Sequence, residues 1–139
     1  MNSIPDNNSF WHSLFAADSI AVIGAKNAVG TWGQDAMKAA LESAKAKAGR
    51  KVYPVNPREE EVMGLKAFKS VLDIPDPVEL AIIVVPAAAA PQVFHDCAAK
   101  KVKAAVVISA GFAEADDDGK KLEAEIKAIA KESGMRFTG

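Results

Sequence analysis

From Ser19 to Gly33 the chain reads SIAVIGAKNAVGTWG, an apolar run that passes directly into a glycine-punctuated loop and then into a helical pattern. Ile20 to Ile23 has the uninterrupted apolar character of a strand covered on both faces, which points to the interior of a parallel sheet. Gly24 ends the run where the chain must turn sharply. Gly30 and Gly33 bracket the start of the helix, whose first backbone N–H groups have no intrahelical acceptor and sit at the positive end of its dipole. Such a place binds phosphate.

The glycine spacing fits neither of the two common phosphate loops. A dinucleotide fingerprint requires glycine two residues after Gly24, where the chain has Lys26, and a P-loop requires Gly-Lys-Ser/Thr where the chain offers Val29-Gly30-Thr31. The loop is longer than a dinucleotide loop. It leaves room for backbone to wrap a bulky phosphorylated group.

Strand and helix signals then alternate to the end. A helix from about Gly33 to Lys47 places Met37, Ala40, Leu41, Ala44 and Ala48 on one face, and Gly49 stops it. Lys51 to Val55 reads as a second strand halted by Asn56-Pro57. A small strand is expected near Leu65 to Phe68, and a turn around Pro75 to Pro77. Leu80 to Val85 is the most apolar strand and is closed by Pro86. Pro91 to Lys101 reads as a helix with proline in its first turn, and Ala104 to Ser109 as another buried strand. Asp116, Asp117 and Asp118 suit the start of a further helix, which takes its apolar face from Leu122, Ile126, Ile129 and Ala130. Gly134 caps that helix, and Met135 to Thr138 begins a last strand. Five or six strands with intervening helices make a doubly wound α/β domain: a mainly parallel, Rossmann-like sheet with helices on both faces and its ligand at the C-terminal strand ends.

Composition narrows the partners. The 139 residues, half of them hydrophobic, suffice for one domain with its own core. Seventeen basic and 18 acidic residues give a net charge of −1, which supplies no electrostatic case for nucleic acid or an anionic membrane surface. A single cysteine excludes an internal disulfide framework. No apolar run reaches the ~18 residues of a membrane span, and no leader pattern opens the chain, so the expected setting is cytoplasmic.

The strand ends collect the unusual residues. A dinucleotide site would carry an acid after the second strand to hold the ribose diol, and Asn56-Pro57-Arg58 stands there instead. Arg58 suits a ribose phosphate. A phosphorylated ribose joined to a diphosphate describes both coenzyme A and NADP, and the residues by themselves leave the two open.

Five blocks resemble a known family. SIAVIGA at 19–25, VYPVNP at 52–57, GLKAF at 64–68, AIIVVP at 81–86 and ISAGFAE at 108–114 occur in the same order in the CoA-binding domain of the NDP-forming acyl-CoA synthetases. That family includes the ADP-forming acetyl-CoA synthetases and is related to the alpha subunit of succinyl-CoA synthetase. The resemblance covers the chain from about residue 10 onward.

The resemblance implies a site. Gly24, Ala25, Lys26, Asn27, Ala28, Val29 and Gly30 would cradle the CoA phosphates. Val55, Asn56, Pro57 and Arg58 would meet the nucleotide end. Val85 and Pro86, with Ser109, Ala110 and Gly111, would flank the ligand further along, and Glu114 is a lesser candidate. It also implies a CoA-binding module of a larger ligase, accompanied by further domains or subunits.

Two departures from the family matter. Lys26 stands where relatives commonly have serine, and it either pairs with a CoA phosphate or crowds the loop. Relatives continue past the last strand with Gly-Pro-Asn-Cys, whereas this chain stops at Gly139, as a domain cut from a longer protein would; residues 1–18 form its lead-in. The family's phosphohistidine belongs to a following domain. His12 and His95 match no such motif and are expected to be packing or surface residues, so the isolated chain is expected to be inactive.

Simple structural roles account for several other features. Cys97 is expected to be a small core residue, Asp116 to Asp118 a solvated helix start, and Glu59 to Glu61 a solvent-exposed turn. Trp32 either packs the loop onto the domain or borders the ligand. Beside the ligase module stand two other readings: a stand-alone CoA-binding protein of similar length, and an NAD(P)-binding oxidoreductase domain, which the glycine spacing and the absent acid disfavour.

Overall fold

The computed structural model describes residues 16–108 and 117–138, and the chain alternates strand and helix through them. The elements are β1 (Ser19–Ile23), α1 (Trp32–Ala46), β2 (Lys51–Val55), β3 (Glu61–Val62), β4 (Leu65–Lys66), β5 (Leu80–Ile83), α2 (Ala90–Lys100), β6 (Ala104–Val107), α3 (Asp117–Ser133) and β7 (Arg136–Thr138), with short 3₁₀ turns at Val71–Asp73 and Ala87–Ala89. Among the described residues, five strands form one parallel sheet in the order β2-β1-β5-β6-β7, and β3 pairs with β4 as a separate antiparallel hairpin.

All five residues of β1 are buried, as the apolar run requires. Alternation sends Ile20 and Val22 into a core shared with Met37 and Ala40 of α1, while Ala21 and Ile23 join a second core built with Phe94 and Cys97 of α2 and Ile126, Ile129 and Ala130 of α3. The sheet therefore has helices on both faces, the doubly wound arrangement expected. Phe94 is fully buried and meets Phe137 of β7 edge to face at 5.2 Å, which ties α2 to the last strand.

Two elements differ from expectation. The buried stripe of α1 is Gly33, Ala36, Met37 and Ala40, whereas Leu41 and Ala44 are half-buried and Ala48 lies exposed beyond the helix. Small residues at 33, 36 and 40 let the first half of α1 approach the sheet closely, while Leu41 packs against the same core from its second half. The strand expected near 65–68 is present as β4, but it pairs with β3 in a short hairpin that was not expected and is followed by an isolated parallel bridge between Phe68 and Val55. The hairpin turns through Met63 and Gly64, both with positive φ (50° and 86°), a pairing that suits a two-residue turn.

The chain runs from β1 outward to β2, then crosses back over β1 to β5 and continues to β6 and β7. The sheet order thus reverses between β1 and β5. The loops after these two strands leave in opposite directions and open a crevice at their C-terminal ends, where ligands of such sheets bind.

Candidate functional site at the sheet reversal

The crevice depends on two glycines. Gly24 donates its N–H to the Val55 carbonyl at 2.8 Å with φ +96°, and a Cβ there would fall 1.8 Å from the carbonyl oxygen of Val84. A Cβ on Gly33 would fall 2.3 Å from the carbonyl oxygen of Gly24. Absence of side chains at both positions lets the ends of β1 and β5 and the start of α1 converge. Gly30 differs: its φ of +88° shapes the turn, yet a Cβ there would meet nothing within 4 Å, so its role is conformational rather than spatial.

Thr31 caps α1, accepting from Gln34 N–H at 3.2 Å while its hydroxyl donates to the Ala28 carbonyl at 2.7 Å. The N–H groups of Trp32 and Gly33 in the first turn have no intrahelical acceptor and border a cleft of about 280 Å³. Lys26 and Trp32, from the loop after β1 and the start of α1, line the cleft together with Val84, Val85 and Pro86 after β5 and Ile108 after β6. Trp32 is 59% exposed and lines the cleft. Val29 is 88% exposed at the loop's tip.

Two asparagines give the loop its shape. The buried Asn56 donates its side-chain N–H to the Ala25 carbonyl at 2.9 Å and accepts from the Arg58 N–H at 2.8 Å. Asn27 donates to the Glu61 carbonyl at 2.7 Å and to the Glu59 carboxylate at 3.3 Å, and accepts from the Met63 N–H at 2.8 Å. Both side chains thus bond protein atoms, Asn56 fastening the loop to the end of β2 and Asn27 fastening it to the hairpin. Glu59 to Glu61 is accordingly more than a solvent-exposed turn: Glu61 opens β3, and this stretch anchors Asn27.

The remaining expected residues distribute around this frame. Ala25 and Val55 are buried, Ala28 and Pro57 are exposed, and Arg58 presents an exposed side chain at the end of β2. Ser109, Ala110, Gly111 and Glu114 lie outside the described residues, as do His12, Asp116 and Gly139. His95 is exposed on α2, away from the cleft lining. Cys97 is fully buried, and desolvation, with a lesser push from Asp96, raises its thiol pKa to about 12. The thiol stays protonated and unreactive. Among the described residues there is no cluster of metal-ligating side chains, and no helix is long and apolar enough to cross a membrane.

One part of the site escapes a reading of the sequence. The Phe68 N–H donates to the Pro54 carbonyl and the Phe68 carbonyl accepts from Asn56 N–H, each at 2.9 Å, so Phe68 runs parallel along the outer edge of β2. Lys69 and Ser70 therefore emerge at the same end of the sheet as Gly24 and Asn56. Pro54 fits this edge because the N–H it lacks would point outward beside the carbonyl that Phe68 uses.

Comparison with known proteins agrees with this fold. Residues 18–139 match a family model described as CoA binding domain. The chain is 48% identical over 126 residues to the alpha subunit of acetate–CoA ligase [ADP-forming] II of Pyrococcus furiosus, covering 91% of this chain and 27% of that one. It is 40% identical over 137 residues to acetate–CoA ligase [ADP-forming] II of Archaeoglobus fulgidus, covering 99% of this chain and 19% of that one. The chain thus spans only about a fifth to a quarter of the length of these relatives. The apo structure of a dinucleotide-forming acetyl-coenzyme A synthetase 1 from Ca. Korarchaeum cryptofilum superposes with a TM-score of 0.82 at 38% identity, covering 92% of this chain and 27% of that one. With its parallel sheet, its glycine-lined reversal point and a family match over nearly all of its length, the chain belongs to the CoA binding domain family.

Proposed function

We propose that the chain binds coenzyme A across the C-terminal strand ends, with the diphosphate over the loop from Gly24 to Gly30 and the nucleotide end toward β2. The carrying observation is the convergence of Gly24 and Gly33 under the sheet reversal, which brings unpaired first-turn N–H groups and the Lys26 ammonium to one cleft. Trp32 and the Val84–Pro86 segment supply apolar walls for the pantetheine arm. Arg58 stands at the end of β2 for the ribose phosphate. Ser109, Ala110 and Gly111 complete the far side in this reading.

The chain acts as the CoA-binding module of an NDP-forming acyl-CoA ligase, and coenzyme A is a substrate of the assembled enzyme. Further domains or subunits of that ligase supply the phosphoryl-carrying histidine and the acyl site, and the cytoplasm remains the expected compartment. The described residues carry no nucleophile paired to a base, so the module contributes binding and orientation rather than bond-making.

Calorimetric titration with CoA, dephospho-CoA and NADP tests the assignment. CoA should bind more tightly than dephospho-CoA, and NADP more weakly than either. Preference for NADP over CoA would favour an oxidoreductase domain instead.

A further inference from the structure

We propose that Lys69 is a second reader of the ligand's ribose phosphate, standing at the mouth of an adenosine recess that lies on the other side of Gly24 from the cleft already described. The inference rests on the CoA reading above. Its first support is placement. Phe68 acts as a one-residue sixth strand, and because it runs parallel to β2, Lys69 and Ser70 occupy a C-terminal strand end beside Pro57. Ligand residues of open α/β sheets come from such ends.

The second support is the recess itself. About 210 Å³ is enclosed between the ends of β1 and β2 and the start of α2, with Val55, Val71, Val85 and Val93 as apolar walls and Lys69, Ser70 and Asp96 as the polar groups. It shares Gly24 and Val85 with the cleft that Lys26 and Trp32 border. Neither space alone reaches the ~300 Å³ at which ligand pockets usually begin, whereas the two joined across Gly24 do. A ligand with a flat, largely apolar base, a central diphosphate and an apolar arm fits that division, its diphosphate crossing the glycine where no side chain intervenes.

Charge completes the argument. The exposed Lys69 has no carboxylate partner among the described residues, so its ammonium is available to an anion. The Ser70 oxygen already accepts from Leu72 N–H at 3.1 Å, which leaves its hydroxyl proton for the ligand. Asp96 accepts from the Gln92 side chain at 3.0 Å and retains acceptor capacity for an exocyclic amine on the base. Lys69 lines the recess together with Pro57, and Arg58 follows Pro57 in the chain, so the two cations would share the phosphate.

The test compares CoA, dephospho-CoA and 4′-phosphopantetheine binding to the unmodified chain, Lys69→Ala, Lys69→Arg and Ala89→Phe. Lys69→Ala should weaken CoA about tenfold and dephospho-CoA less than about twofold, and Lys69→Arg should restore most of the loss. Ala89 lies exposed on the recess wall, so Ala89→Phe fills the space without disturbing the core. It should weaken CoA and dephospho-CoA together and leave 4′-phosphopantetheine unchanged. Equal losses, or no loss, for CoA and dephospho-CoA in Lys69→Ala would overturn the role of Lys69 while leaving the CoA reading standing. Failure of the unmodified chain to bind CoA would overturn both.

Discussion

The buried carboxamide of Asn56 holds the carbonyl of Ala25 at 2.9 Å, so the residue that ends β2 determines where the loop after β1 lies. Asn56→Asp replaces that donor with an acceptor facing a carbonyl oxygen. Chemical denaturation should show a loss of about 2 kcal/mol, the cost of an unsatisfied or repelled buried polar group, and CoA affinity should fall with it. An Asn56→Asp protein of unchanged stability would show that the loop holds its shape by other means.

Gly24 and Gly30 should respond to alanine very differently. The Gly24 position combines φ +96° with a Cβ site 1.8 Å from the Val84 carbonyl oxygen, so Gly24→Ala should cost more than about 4 kcal/mol or prevent folding. Gly30 has φ +88° and open space, so Gly30→Ala should cost only about 1 kcal/mol, the penalty of a left-handed residue. Melting curves of the two variants check the ordering, and comparable losses would contradict it.

Cys97 should resist thiol reagents in the native protein and react once the chain is unfolded. Burial keeps its thiol pKa near 12, and no part of its surface is exposed. Rapid labelling under native conditions, at a rate independent of denaturant, would refute this.

Tyr53, the one tyrosine of the chain, donates its hydroxyl to Asp76 at 2.7 Å. Burial and, next, the carboxylate raise its pKa from 10.0 to about 12. Because the folded value is the higher one, the stabilisation is fully present below pH ~10 and declines as pH rises toward 12. A spectrophotometric titration should find the phenol ionising near 12, and stability curves for Tyr53→Phe should lack this alkaline decline.

The elements legible in the sequence were those announced by local chemistry. β2 begins and ends where expected because Asn56-Pro57 cannot extend it, and β1 is evident because every one of its residues is buried. The buried stripe of α1 was misplaced because Gly33 and Ala36 carry no apolar bulk and reveal themselves only by how closely the helix packs. The strand near 65–68 was legible, but its pairing with β3 was hidden because the turn between them places a methionine at positive φ, which sequence patterns do not favour. At the site, the glycine loop announced itself, but an asparagine after a strand reads equally as a ligand contact or an internal clamp. Only the positions of Ala25 and Met63 show that Asn56 and Asn27 have protein partners. Lys69 gave no signal at all, since its placement depends on a single bridged residue.

The interior position of β1, between β2 and β5, carries a consequence for biosynthesis. Ile20 pairs with Val52 on one side and with Leu80 on the other, so its first partner emerges early and its second only after a long further stretch of synthesis. A nascent chain that has completed β2 can own its glycine loop and still lack the opposing wall, which Val84 and Val85 provide. Prematurely terminated products ending between these two points would expose the inner edge of β1, inviting chaperone capture, and could not sequester the nucleotide.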